Sequence, residues 1–163
     1  MKTNYHQQIK DTITTIGKKV SIIAFVVITM ASSAFAGDNK ALDFKGADAF
    51  KKTFPQATDV TYTVKKEFTE VNFTWHDLKL QAFFDRQGNY IGLSREVSVK
   101  DLPLSYVINI NKEYKDFDIT EAIEFDHTDT GMSYYVTVAK GDKKYVLNVA
   151  SDGTISVFKK MKN

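Results

Sequence analysis

The stretch "FFDRQGNYIG", Phe83 to Gly92, gathers Asp85, Gln87, Gly88 and Asn89 into one short loop. Oxygen-rich loops of this kind can hold calcium. An EF-hand loop needs oxygens at positions 1, 3 and 5, glycine at 6 and a bidentate glutamate at 12. Counted from Asp85, glycine falls at 4, and Glu96 at 12 follows apolar Ile91 and Leu93. The chain repeats itself in "NVASDGTISV", Asn148 to Val157, with Ala150 where the first copy has Asp85. A hairpin turn whose glycine takes positive φ accounts for both copies. No calcium site is expected.

Other chemistries fare no better. His76 and His127 lie far apart in non-equivalent turns, whereas zinc sites converge several nitrogen or sulfur ligands. They read as surface histidines in hairpins. There is no cysteine, which excludes a disulfide framework, a thiolate zinc site and a thiol nucleophile. No G-x-S-x-G elbow and no glycine-rich phosphate loop occurs. The carboxylates fall in turns and on polar faces, with no pair set apart for acid–base work. The expectation is a non-enzyme with no cofactor and no metal.

The elements that must position these residues begin with an address. Lys18 and Lys19 precede "VSIIAFVVITM", an apolar run of 11 residues, then "ASSAFAG" with Ala34 and Ala36 around Phe35. That order reads as a signal peptide cleaved after Ala36, the alternative being an uncleaved N-terminal anchor. The run is short for a membrane span, which takes about 20 apolar residues. The expected layout is a signal peptide at 1–36, a linker at 37–45 and one domain at 46–163. Removing residues 1–36 takes the basic count from 22 to 18 and the acidic count from 20 to 19, a net charge of −1. The basic balance of the whole chain therefore says nothing of nucleic acid, and no basic block with interleaved aromatics remains. Export to a periplasm or the cell exterior, without stable membrane insertion, is the expectation.

In "GADAFKKTFP", Ala47, Phe50 and Phe54 share one helical face, and Pro55 ends the helix. Strands of period two follow. Val60, Tyr62 and Val64 share a face, as do Val71, Phe73 and Trp75, then Leu78, Leu80, Ala82 and Phe84. Such alternation marks a sheet with one face buried. A fourth strand spans about 90–97. The pattern then restarts with "DLPLSYVININKEYKDF", where Leu104, Val107 and Ile108 form an apolar stripe widened by Tyr106, Ile110 and Tyr114. Strands are predicted at 119–125, 134–139, 145–149 and 155–158.

The halves superimpose. Shifted by 65 positions, Val71 falls on Val136, Phe73 on Val138, Leu80 on Tyr145, Ala82 on Leu147, Phe84 on Val149 and Gly88 on Gly153. The helices match at a shift of 60, Phe50 on Ile110 and Phe54 on Tyr114. The expectation is an α+β fold: a tandem repeat of two α-β-β-β-β units, 46–100 and 101–160, with two helices on one face of an antiparallel sheet.

On the opposite face the alternation places Glu70, Asn72, Thr74, Lys79, Gln81 and Phe83, with Tyr135, Thr137, Lys144, Val146 and Asn148 from the second unit. Leu93 and Phe158, equivalent by the 65 shift, join them. Phe83, Tyr135, Val146 and Phe158 are apolar where the pattern calls for polar residues. Exposed among polar neighbours they would serve as binding anchors, with Asn72, Lys79 and Gln81 beside them. The competing reading has them filling sheet curvature, pairing across strands or contacting a second copy.

The sequence resembles the PepSY-like, β-lactamase-inhibitor-like family of exported bacterial proteins. The resemblance rests on "AFKKTFPQATDVTYTV", "AFFDRQGNYIG", the "DLP" opening of the second helix and the second hairpin "VASDGTI". It covers roughly residues 44–160. It implies the tandem α-β4 fold of the β-lactamase inhibitor proteins, which grip an enzyme with a concave sheet face. By that analogy the protein would engage an envelope or extracellular protein, such as a hydrolase, through its open sheet face. The alternative is a small-ligand-binding or envelope-stress sensor protein with a pocket between sheet and helices.

Overall fold

A computed structural model describes residues 43–161. The expected signal peptide, and the expected linker up to residue 42, lie outside the described residues. The chain runs α1 (Ala47–Thr53), β1 (Thr58–Val64), β2 (Phe68–Trp75), β3 (Leu78–Asp85) and β4 (Tyr90–Val97). A 3-10 turn at Val99–Asp101 leads to α2 (Leu104–Glu113), β5 (Asp118–His127), β6 (Gly131–Lys140), β7 (Lys143–Val149) and β8 (Ile155–Met161). The eight strands form one antiparallel sheet in chain order. The fold is α+β, as the alternation predicts.

Each helix seeds an apolar cluster. Phe50 and Phe54 pack on Val71, Phe73, Leu80, Ala82 and Phe84, with Val60, Tyr62, Trp75 and Leu93 around them. Ile110 packs on Ala122, Val136, Val138, Leu147 and Val149, with Val97, Tyr106 and Tyr114 around it. Leu93 and Val97 are four residues apart on β4, so they share a face. Both helices therefore cover the same side of the sheet. Under α1 the space is filled by rings: Phe50–Phe73 at 4.9 Å and Phe54–Phe73 at 4.7 Å between centroids. Such pairs add about 1 kcal/mol each beyond the area they bury.

The helices end alike. The Phe54 amide donates to the Phe50 carbonyl and the Tyr114 amide to the Ile110 carbonyl, at 2.8 and 2.7 Å. Two residues later the chain turns through the left-handed region, at Gln56 (φ 67°) and Asp116 (φ 68°). The last hairpins of the two halves also match. Amides of Gly88 and Gly153 donate to the carbonyls of Asp85 and Ala150, and amides of Asp85 and Ala150 to those of Asn89 and Thr154. Bulges interrupt β1–β2, β3–β4, β5–β6 and β7–β8. Each bulge bends and twists its strand, so the sheet is not flat.

Two sequence expectations about the core need correcting. The stripe of α2 is not Leu104, Val107 and Ile108. Leu104 is 74% and Ile108 45% exposed, and the helix turns Ile110 inward with Tyr106, Val107 and Tyr114 beside it. Pro103 caps α2 from outside, its carbonyl accepting from the amides of Tyr106 and Val107. That start sets the rotation of the helix and leaves Leu104 on its outer side. Val64 is also exposed, at the end of an edge strand where only Thr69 pairs with it.

Candidate functional site

The sheet face away from the helices carries what the alternation left over, and the structure arranges it in two parts. The first is a row of rings. Phe68, Phe83, Phe125, Tyr135 and Phe158 follow one another at centroid separations of 6.1, 5.6, 6.4 and 4.9 Å. The row runs from β2 to β8 and joins the two halves.

Small residues make it continuous. Phe83 on β3 and Phe125 on β5 are separated by β4, where Gly92 pairs with Phe83 and Ser94 with Phe125. A Cβ on Gly92 would lie 3.1 Å from the Phe125 ring and 2.4 Å from the Asp126 carbonyl. The rings meet across β4 because Gly92 has no side chain there.

Of the two readings left open for these residues, packing across strands holds for three of the four. Phe83, Tyr135 and Val146 are only 4, 2 and 2% exposed, and Phe158 is half-buried. Neighbouring rings take up the flanks of Phe83 and Tyr135. The Tyr135 phenol is pushed up to about 12 by burial, against the opposing effect of a hydrogen bond with Asn148. Leu93 does not join the face. It packs into the cluster under α1, while Phe158 stays on the open side. The reason is bulge position. In β3–β4 the extra residue is Ile91, beside the turn, and in β7–β8 it is Phe158 itself. An extra residue switches the facing of everything after it, so positions 65 apart need not point alike.

The second part is a polar cluster on β2, β3 and β4. Gln81 Nε2 donates to Glu70 Oε1 at 2.7 Å and to Asn72 Oδ1 at 2.8 Å. Asn72 Nδ2 donates to Glu70 Oε1 at 3.2 Å, and Ser94 Oγ to Gln81 Oε1 at 3.2 Å. Glu70, Gln81 and Ser94 are buried, and Asn72 is half-buried. Lys79 is exposed, on the same face beyond Gln81. In the second half the Thr137 hydroxyl donates to Glu121 Oε2 at 3.1 Å. The structure thus brings Asn72 and Gln81 together, and Phe83, Tyr135 and Phe158 into one row. Sequence reasoning missed Phe68, Phe125, Glu121 and Ser94 as members of this face. Gly92 inside an otherwise apolar strand was the available signal, since such glycines mark close approach.

The turns that opened the chemical question serve the backbone. Asp85 Oδ1 accepts from the amides of Gln87 and Asn89 at 2.8 Å, and Oδ2 from the Asn89 side chain at 2.9 Å. The Asp85 carboxyl lies below its ordinary value: slight burial raises it, and these hydrogen bonds outweigh the burial. His76 and Asp77 form the β2–β3 turn with φ of 49° and 63°. His127 Nδ1 accepts from the Asp129 amide at 2.9 Å. Among the described residues no three histidines, cysteines or carboxylates come together as a metal would require.

No known family and no curated protein matches the chain by sequence. Solved structures do match in shape. A BLIP-like protein from Bacteroides fragilis superimposes with a TM-score of 0.62 at 19% identity, over 80% of this chain and 91% of that one. A DUF2874 family protein from Bacteroides ovatus gives 0.63 at 18%, over 77% and 89%. A protein from Bacteroides eggerthii, described as a candidate periplasmic protein, gives 0.61 at 14%, over 79% and 90%. At these identities the likeness concerns the fold: an eight-stranded antiparallel sheet with two helices, as in BLIP-like proteins.

Proposed function

We propose that this is an exported, non-enzymatic binding module that engages another envelope or extracellular protein through the sheet face away from its helices. The observation that carries the reading is the ring row on a face that neither helix reaches. Four of its five rings are buried, so the row stiffens this face from within, and half-buried Phe158 and Asn72 with exposed Lys79 are the members it presents to a partner. The BLIP-like fold and the candidate periplasmic neighbour support it. The shared helix ends and hairpins support reading the halves as copies of one unit, and the chain as a PepSY-like protein. Inhibition of a hydrolase is the form this binding would take by fold analogy, which is weak warrant for a target. The ligand-pocket alternative is less well supported, because rings fill the space between α1 and the sheet.

The test uses residues at the margin of the face. Phe83→Ala and Tyr135→Ala would each cost about 3–5 kcal/mol of stability and confuse binding with folding. Lys79→Glu and Phe158→Ser alter the exposed and half-buried members instead. Crosslinking capture from the native envelope fraction should fall at least tenfold with the double variant, at a nearly unchanged melting temperature. Undiminished capture would sink the open-face reading.

A further inference from the structure

The sheet does not close on itself, so β1 and β8 each leave one edge unpaired among the described residues. The two edges are built differently. β8 carries Lys159 and Lys160, and lysines on an edge strand discourage a further strand. β1 has no lysine within it. Beyond the bulge near its start it reads "VTYTV", Val60 to Val64. All of these residues are β-branched or aromatic, the types that favour strands. The stretch also reads the same in both directions about Tyr62.

The register fixes which backbone groups are free. The Lys65 amide donates to the Phe68 carbonyl at 2.8 Å and closes the β1–β2 hairpin. Hydrogen-bonded pairs alternate along an antiparallel ladder, so Thr63 and Thr61 bond towards β2 in their pairs with Glu70 and Asn72. Tyr62 and Val64 then turn their amides and carbonyls away from the sheet. Val64 is 62% exposed, Thr61 and Thr63 are exposed, and Val60 and Tyr62 are half-buried.

We propose that this edge takes a second copy of the chain, β1 against β1, antiparallel about a two-fold axis between the two Tyr62 residues. A palindromic strand is complementary to itself across such an axis. Tyr62 faces Tyr62 of the second copy, Val64 faces Val60, and Thr63 faces Thr61. Each exposed Val64 gains an apolar neighbour, and facing threonines can hydrogen-bond. Lys65 of each copy comes beside the Asp59 end of the other, which places opposite charges at both ends of the pairing. Pairing β1 with β8 of another copy would leave ends open and build filaments, and Lys159 and Lys160 oppose it. The two-fold pairing closes. Facing residues of an antiparallel pair share a face, and Tyr62 packs on the helix side in each copy, so the two open sheet faces lie on the same side. The dimer does not depend on what those faces bind.

Sedimentation of the exported protein should show a monomer–dimer equilibrium between about 1 µM and 1 mM, because so short a pairing falls below a standard-size interface. Val64→Pro removes an outward amide and leaves the bonds to β2 in place. It should weaken the dimer about tenfold, two hydrogen bonds being lost across the axis, at a nearly unchanged melting temperature. The chain has no cysteine, so introduced ones report the register. A mixture of Thr61→Cys and Thr63→Cys proteins should crosslink on mild oxidation severalfold more than either alone, since facing non-hydrogen-bonded residues lie within disulfide reach. A monomer throughout the range, a dimer indifferent to Val64→Pro, or crosslinking strongest within one variant alone would each overturn the proposal. A monomer whose capture of an envelope partner falls with Val64→Pro would overturn it too, by making the occupant a strand of that partner. The Lys79→Glu, Phe158→Ser variant should dimerise like the parent even where its capture fails, and a dimer lost in it would overturn the edge placement.

Discussion

Tyr135 and Tyr90 carry phenols pushed up to about 12, each chiefly by burial, with Asp126 adding to the effect at Tyr90. The unfolded chain would ionise these groups near 10. A raised tyrosine value means that folding favours the neutral form. Its contribution is complete below pH 10 and is lost as pH climbs from 10 towards 12. Base-induced unfolding should therefore begin in that window. A tyrosinate absorbance titration should show a late step that Tyr135→Phe reduces, and full ionisation of all tyrosines by pH 10.5 would contradict the buried placement. The residue scale is also where sequence reading was least reliable. Phe83 and Tyr135 were legible as misplaced apolar residues on the polar face. Their burial was not, because it depends on Phe125 and Phe158 arriving from other strands.

At the scale of elements, the first helix and the β3–β4 hairpin meet through two glycines. A Cβ on Gly88 would sit 2.6 Å from the Gly46 nitrogen, and one on Gly46 2.9 Å from the Gly88 carbonyl. Both residues have positive φ. In the second half Gly153 also has positive φ, but its nearest neighbour would be the Tyr106 ring at 3.6 Å, an ordinary contact. Tyr106 instead hydrogen-bonds the Ser151 carbonyl through its hydroxyl at 3.2 Å. Two helix–hairpin joints in equivalent places are thus closed by different chemistry. Gly153→Ala should cost about 1 kcal/mol from backbone strain alone. Gly88→Ala adds a backbone clash and should cost about 2–4 kcal/mol. Urea unfolding of the two variants checks the order, and equal costs would mean that the Gly46–Gly88 contact yields freely. Hairpins and helix ends were legible here from glycine and proline placement. Which face of α2 turns inward was not, because Leu104 and Ile108 satisfy the same periodicity as the residues actually buried.

At the scale of the whole molecule, the two helix-centred clusters share one sheet. β4 and β5 pair over Gly92–Val97 and Ala122–His127, and Arg95 Nε reaches Glu124 Oε1 at 2.7 Å across that seam. Tyr134 donates to the other Glu124 oxygen at 3.1 Å. Below the seam the ring row crosses from Phe83 to Phe125. The halves should unfold together. Trp75, the only tryptophan, packs against Phe54 in the first half and donates to the Pro55 carbonyl at 2.8 Å. Its fluorescence and the far-ultraviolet circular dichroism of the full sheet should share one urea midpoint. Separated midpoints would show that the seam does not couple the halves.

The alternation, the proline and glycine punctuation and the 65-residue echo by themselves determined the number of strands, their antiparallel arrangement and that both helices cover one side. These are consequences of local periodicity, and the nearest neighbours in sequence carry them. The tertiary structure alone decided which leftover residues form a site. A bulge moves Phe158 to the open face and leaves Leu93 in the core, a missing side chain at Gly92 lets two distant rings meet, and three strands converge to hold Glu70. Each of these is a contact between segments far apart in the chain, and periodicity along a single strand does not encode it.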